Sequence, residues 1–598
     1  MSRPRAPMAV VPVVVLLWSC SPPGPAAPAT ARHPVEDTLH GQVFVDDYRW
    51  LEEQSSPQTR AWIAAQNGFT ETVIGETPER AWFRDRLAAY LDRDDIGNVR
   101  KAGDYEYFTI RRKGEEMPVL YRRSAPDPDE SSGADAASSA ADDEPTVDGD
   151  YETVLDPASF DPSYRTPVQA MEYSPDGRVL VYSVRQGGAD EIEIRFRDLE
   201  TGEDLPDVLP RALYGGIEFT EDGESLYYTH RSRVDGPRIR LHRLGTSLDD
   251  DREVWGAGFG PTSFISHTRL GDGPFRIFSA QHGWASNDLY LQEGDGPIRP
   301  LLVGSGAHLQ TRFLDGRVWV RTDLNAPNYR LLSFDPRRPE PDAWLEVIPE
   351  TDHLLDSYAI VDEHIYVTYL EDVENRIRVF TRDGVVTDSL PGPGGSSLTV
   401  RDGEEDGEVE LTVVNHLQPS VTYAVDLDTG EQSLEEPAEI DFDASGLEVD
   451  KIWYASDHGR SAPIYVVRRA DIELDGSHPT ILNGYGGFNV SIKPGFSTTA
   501  ATWVEAGGIY ATATLRGGSE YGESWHRDGM LTRKQHVFDD FIAAAERLVE
   551  LGYTSPDRLG ISGGSNGGLL VASAMTQRPD LFRAVLCTYP DLDMIRFW

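Results

Sequence analysis

Cysteine is almost missing from this 598-residue chain, which has only Cys20 and Cys587. Two thiols build neither a disulfide framework nor a CxxC zinc or redox site. Lysine is nearly as rare, confined to Lys101, Lys113, Lys451, Lys493 and Lys534. None of these follows a GxxxxGK[ST] loop, which sets aside P-loop nucleotide hydrolysis. The 14 histidines contain no HExxH spacing, and no GxGxxG fingerprint occurs, so neither a metal nor a cofactor is expected. Basic residues number 55 against 100 acidic ones, a formal charge of −45. A field of that sign repels nucleic acid and anionic lipid surfaces, and no nucleic-acid partner is expected.

What is present is enough to fold. Hydrophobic residues make up 39% and aromatics 10% of the chain, sufficient apolar surface to offset ordering entropy over most of its length. At roughly 150 residues per domain, the length calls for several domains. Nothing in the sequence fixes an oligomeric state.

Residues 1–32 read as an export segment with a tether. Arg3 and Arg5 precede an apolar run from Met8 to Trp18, too short to span a bilayer as a helix and the right length for the core of a signal. It ends Leu17-Trp18-Ser19-Cys20, which resembles a bacterial lipobox with Cys20 as the acylated residue, a lipid anchor followed by a Pro/Ala-rich tether. An ordinary secretory signal is the alternative. The expected location is the bacterial periplasm or a membrane-anchored lipoprotein, with secretion as the other outcome.

Residues 33–92 carry two helical patterns, Ser56-Pro57 to Asn67 and Pro78 to Asp92. From 93 to 445 short alternating strands follow one another between turn signals, an all-β pattern. Two turn-strand units recur, Tyr173-Ser174-Pro175-Asp176-Gly177 and Phe219-Thr220-Glu221-Asp222-Gly223, with Asp-Gly turns 46 residues apart. That period suits a four-stranded propeller blade; a pair of β-sandwiches is the alternative. The stretch 125–148, biased to Asp, Ser, Ala and Pro, reads as a disordered insert. From 446 to 598 strands alternate with helices, with Val537 to Leu551 and Asn566 to Gln577 as the helices, which predicts a parallel α/β sheet.

Gly563-Gly564-Ser565-Asn566-Gly567 is a G-x-S-x-G sequence between a predicted strand and helix, the setting of a nucleophile elbow. A nucleophile on so sharp a turn has a strained backbone and crowded neighbours, so small residues are needed two places before and after it. The helix start behind it offers Asn566 N–H and a partial positive charge to a developing oxyanion. A serine packed in a Gly-rich turn has the same short pattern.

The surrounding residues narrow this. Asn483-Gly484-Tyr485-Gly486-Gly487-Phe488, Arg516-Gly517-Gly518-Ser519-Glu520-Tyr521-Gly522, Lys534-Gln535-His536-Val537-Phe538-Asp539-Asp540-Phe541, Gly552-Tyr553-Thr554-Ser555-Pro556 and Gly563 to Gly568 occur in that order. Together they closely resemble the catalytic domain of the prolyl oligopeptidase family. Asp46-Asp47-Tyr48-Arg49-Trp50-Leu51-Glu52 resembles the family's opening segment, with Asp47 where Pro is usual. The resemblance implies an α/β-hydrolase domain formed from both chain ends and capped by a seven-bladed propeller that admits short peptides. It implies Ser565 as nucleophile, Tyr485 O–H and Asn566 N–H as the oxyanion hole, Phe488 lining a substrate subsite, and no cofactor.

In such a fold the order is Ser, then Asp, then His, and the resemblance places the catalytic Asp and His beyond Trp598. No His follows Ser565, so the hydrolase domain is expected to be incomplete at its C-terminus and the chain to have little activity alone. His526 and His536, nearest in sequence, read as structural, and Asp591 and Asp593 come too early to orient a base. Three functions stay open: a serine oligopeptidase cleaving short peptides after Pro, an inactive homologue that binds peptides, and an oligopeptidase preferring another residue such as Lys or Arg. Thr588-Tyr589-Pro590-Asp591 departs from the more apolar stretch of well-matched prolyl members.

Overall fold

The structure, a computed structural model, describes residues 26–125 and 145–596 apart from 233, 404–406, 428, 437–439, 441, 457–458 and 460. Cys20 and most of the 125–148 insert fall outside these residues. The chain divides into two compact units, one up to Ala88 and one from Ala89. In the first, Val35–Leu39 and Gln42–Asp46 form an antiparallel hairpin that turns through His40 and Gly41, both at positive φ. A helix covers Pro57–Ile74. Ser56 caps it by accepting the Thr59 N–H at 3.1 Å, and Pro57 at its first position has no N–H to leave unpaired. It continues through Gly68, past the predicted end at Asn67, and stops before Gly75, because one glycine costs a helix only about 1 kcal/mol.

From Asp95 to Glu436 the second unit is built almost wholly of antiparallel strands. The repeated turns share one chemistry. Ser174 Oγ donates to Asp176 Oδ1 at 2.6 Å and accepts the Val179 N–H at 2.8 Å; Thr220 Oγ1 donates to Asp222 Oδ1 at 2.6 Å and accepts the Ser225 N–H at 3.1 Å. Gly177 and Gly223 follow at φ 70 and 68, where glycine escapes the Cβ penalty. Each turn therefore fixes the register of the hairpin it closes.

The hydrogen bonding does not give the seven separate blades that the repeat and the resemblance imply. Among the described residues five sheets are blade-sized, four of four strands and one of five, and one further sheet joins seven strands. The cause is the 16-residue strand Asp204–Phe219. Up to Ala212 it pairs with Ile192–Asp198, and from Leu213 it pairs with Ser225–Ser232. The strand bends at Gly216, φ 58, with a register shift between Gly215 and Glu218. Neighbouring sheets bury their apolar faces on one another, as where Leu331 and Ile348 meet Leu355 and Ile365.

After this region comes a six-stranded sheet: β1 (Leu447–Ala455), β2 (Ser461–Arg469), β3 (Thr480–Asn483), β4 (Ile509–Ala513), β5 (Leu559–Gly564) and β6 (Ala584–Thr588). Their spatial order is β1-β2-β4-β3-β5-β6. β3 to β6 are parallel, whereas β1 and β2 are antiparallel to their neighbours, so the sheet is mixed where the alternation predicted a parallel one. Helix α1 (Gln535–Glu550) buries Val537, Phe541, Ala544, Ala545 and Leu548, one face at three- and four-residue spacing, against Leu482, Ala511 and Ile561 of the sheet. Helix α2 (Asn566–Gln577) follows β5 after the single residue Ser565.

Candidate active site

Ser565 sits at φ 55, ψ −122, a backbone region that non-glycine residues occupy only under constraint. The constraint comes from both sides. Its N–H donates to the Thr588 carbonyl at 3.1 Å, tying the turn to β6, and its carbonyl accepts the Gly568 N–H at 2.9 Å, starting the helix. A Cβ on Gly563 would lie 2.2 Å from Gly567 O, and one on Gly567 would lie 2.8 Å from Gly484 O. The small residues two places either side of Ser565 are thus a steric requirement of this turn.

The loop after β3 brings Tyr485 to the same place. Burial raises the pKa of its phenol, while a hydrogen bond with the Ser565 side chain works in the opposite direction. Asn566 is buried at the start of α2, and its side-chain Nδ2 donates to the Tyr485 carbonyl at 2.6 Å. The first turn of a helix leaves backbone N–H groups directed out of its N-terminus, here toward the turn that holds Ser565. Three of the residues singled out in the sequence, Ser565, Tyr485 and Asn566, therefore meet at one point.

Phe488 lies further along the same loop, at φ 55. Its ring packs edge-on against Trp284 with centroids 5.3 Å apart. Both line a cavity of about 450 Å³ between the β-strand region and the six-stranded sheet, with His308, Arg321, Asp356 and Lys493 supplying polar groups. Lys493 Nζ closes one side on Asp356 Oδ2 at 2.7 Å. Burial, reinforced by the Arg321 charge, pushes the His308 pKa down to about 4, so its ring is neutral at physiological pH.

Residues 28–437 match the family described as "Prolyl oligopeptidase, N-terminal beta-propeller domain", and residues 494–598 match "Prolyl oligopeptidase family". The chain belongs to the prolyl oligopeptidase family. It is 29% identical over 583 residues to a protein named prolyl endopeptidase from Elizabethkingia miricola, covering 95% of this chain and 79% of that one. It is 26% identical over 587 residues to a dipeptidyl aminopeptidase BI from Pseudoxanthomonas mexicana, covering 95% and 80%. A solved chain from a structural and mechanistic analysis of two prolyl endopeptidases superimposes with a TM-score of 0.84 at 33% identity, covering 96% of this chain and 83% of that one. The architecture is that of the family, a β-propeller joined to an α/β-hydrolase domain.

Within this prolyl oligopeptidase fold several groups lie where the sequence alone did not place them. Ser565 Oγ donates to Asp591 Oδ2 at 3.4 Å. By chain order Asp591 is too early to orient a base, yet the loop after β6 necessarily lies beside the turn after β5, because β5 and β6 are parallel neighbours. That adjacency was the available signal. Lys534, the first residue of the Lys534–Phe541 motif, places its Nζ 2.7 Å from Asn566 Oδ1. The two histidines nearest in sequence are held elsewhere: His526 Nδ1 lies 3.1 Å from Glu523 Oε1, and His536 Nδ1 donates to the Asp528 carbonyl at 2.9 Å.

The motif residues Arg516 and Asp540 form the ion pair behind the site, both fully buried. Arg516 Nε donates to Asp540 Oδ2 at 2.9 Å and Nη2 to Oδ1 at 2.6 Å, while the Arg516 N–H reaches Oδ2 at 3.1 Å. Two charges at this depth persist only because nearly every donor has an acceptor. The pair ties the segment after β4 to α1. Against that segment lies Gly486, whose carbonyl would be 2.7 Å from a Cβ on Gly517.

Proposed function

We propose that this prolyl oligopeptidase family member hydrolyses short peptides through an acyl-enzyme on Ser565, cleaving after Pro. The observation that carries the reading is the strained Ser565 turn, with the Tyr485 phenol beside the hydroxyl and the start of α2 behind it. Ser565 Oγ attacks the substrate carbonyl, and the carbonyl oxygen, as it gains charge, accepts hydrogen bonds from Tyr485 O–H and Asn566 N–H. Donors already in place need no reorganisation when the charge appears, and losing one typically costs about 10²–10³ in rate. Phe488 and the cavity behind it receive the peptide. The preference for Pro is supported by the name of the Elizabethkingia relative.

A base must take the Ser565 proton, and no His follows Ser565 in these 598 residues. Added imidazole supplies a base to these residues from solution. With a fluorophosphonate probe, Ser565 should label slowly, label faster as imidazole is raised, and not label at all in Ser565→Ala. A folded protein that stays inert to the probe at every imidazole concentration would refute the proposal.

A second reading is favoured by one contact, the Asp591 carboxylate 3.4 Å from Ser565 Oγ. An anion beside the nucleophile suits a cationic side chain on the acyl side of the cleaved bond. Peptidyl diphenyl phosphonates carrying Pro or Arg at that position separate the two. Faster reaction with Arg, reversed in Asp591→Val, supports the second reading, and a Pro preference unchanged in that variant excludes it.

A further inference from the structure

Lys534 stands where local preference argues against a lysine. It occupies the N-cap position of α1, φ −56 and ψ −28, and makes no side-chain cap. Helix starts favour Ser, Thr, Asp or Asn, whose oxygens accept an unpaired N–H, and a cation there faces the positive end of the helix dipole. Burial pushes its pKa down to about 8, so holding an ammonium at this site costs solvation free energy. Such breaches of local rules concentrate where function requires them.

What the lysine does there is visible in its partners. Nζ donates to the Gly486 carbonyl at 2.8 Å and to Asn566 Oδ1 at 2.7 Å. Asn566 in turn donates from Nδ2 to the Tyr485 carbonyl at 2.6 Å. Gly487 lies so close to this amide that a Cβ on it would be 2.5 Å from Nδ2. One ammonium thus bridges the loop that presents Tyr485 and the helix start that presents Asn566. A lysine suits the position because its donors radiate from one compact atom, whereas guanidinium donors lie in an extended plane.

We propose that Lys534 is a positioning residue that pins the Tyr485 loop to the start of α2 and so sets the spacing of the two oxyanion donors. The inference rests on the function proposed above, since it gives Tyr485 and Asn566 their roles. Lys534 touches neither substrate nor Ser565 in this account; it acts through the two groups it holds.

The test uses Lys534→Met, which keeps the length and loses the donors, and Lys534→Arg, which keeps charge and donors. Hydrogen exchange read by mass spectrometry should show the 484–488 segment exchanging at least about tenfold faster in Lys534→Met, with β1 to β6 unchanged and partial protection in Lys534→Arg. With imidazole present, the limiting rate of fluorophosphonate labelling at Ser565 should fall by about 10- to 100-fold, less than for loss of a donor itself. The concentration giving half that rate should move less than twofold. Unchanged exchange in the segment, or a loss carried entirely by probe binding, overturns the inference. If the wild-type protein does not label even with imidazole, the proposed function fails, and the exchange measurement alone still decides whether Lys534 is the pin. Lys534→Gln, which keeps only an uncharged amide donor, replaces the Met variant should that fail to fold.

Discussion

Glu520 is a carboxyl with little to hold its charge. One oxygen accepts the Ile492 N–H at 2.8 Å, and the other has no hydrogen-bond partner among the described residues. Burial pushes its pKa up to about 7, the Ile492 N–H opposes this, and the Asp356 charge adds to it. A carboxyl whose folded pKa exceeds its unfolded one binds more protons in the native state, so stability falls as pH rises from about 4.5 to about 7. Glu520→Gln removes that fall while keeping an acceptor for Ile492. The variant should match wild type below about pH 4.5 and exceed it by up to about 3 kcal/mol at pH 8, read from denaturant midpoints across pH. Equal midpoints at pH 8 would show the carboxyl to be charged in the native state without penalty. At this scale the sequence was legible where chemistry and spacing coincide. Ser565 follows from the glycines around it, and Tyr485 and Asn566 from motifs in the expected order. Lys534 and Glu520 were opaque because their roles depend on which backbone groups lie across a gap, and spacing along the chain does not encode that, whereas Asp591 was signalled only by the adjacency of β5 and β6.

The element that sets the chemistry is the strand, turn and helix from Leu559 to Gln577. It was legible in outline because a buried strand, a Gly-rich turn and an apolar helix each leave a pattern. The helix Asn566–Gln577 falls where the sequence put it. β1 and β2 did not stand out. β1 is mostly half-buried along its length, so it shows no clean alternation, and its pairing with β2 is antiparallel inside a domain whose other strands are parallel. The blade pattern failed at one element for a related reason, since Asp204–Phe219 continues through a glycine bend instead of ending in a turn. The elbow gives a sharp test. Gly563→Ala would set a methyl 2.2 Å from the Gly567 carbonyl oxygen, a backbone contact that no rotamer change relieves. The variant should lose Ser565 labelling by more than about 100-fold, in keeping with the sensitivity of reaction rates to roughly 1 Å of misplacement. Circular dichroism should show the propeller intact. Labelling within about twofold of wild type would mean that the turn relaxes without moving Ser565.

Across the whole molecule two electrostatic effects compete. The propeller and hydrolase domains are bridged by ion pairs: Lys493 with Asp356 at 2.7 Å, Lys451 with Glu374 at 2.9 Å and Arg527 with Asp323 at 3.6 Å. Pairs of this partly exposed kind contribute about 0.2–1 kcal/mol each, and salt weakens them. Against them stands a formal charge of −45. Two like charges about 10 Å apart in water repel by about 0.4 kcal/mol, and with so large an acidic excess many such pairs are unavoidable. Repulsion summed over the surface should therefore outweigh three bridges. Salt shortens the range of both effects, from about 30 Å at 0.01 M to about 3 Å at 1 M, and it acts most on the long-range one. The thermal unfolding midpoint should rise as sodium chloride is increased from about 0.01 to 0.5 M. Lys493→Met should lower the midpoint at low salt, because Asp356 is left beside the cavity without its cation, and the gap to wild type should narrow as salt screens the lost attraction. A wild-type midpoint that falls with salt would reverse the ranking and make the bridges between the two domains the dominant electrostatic contribution.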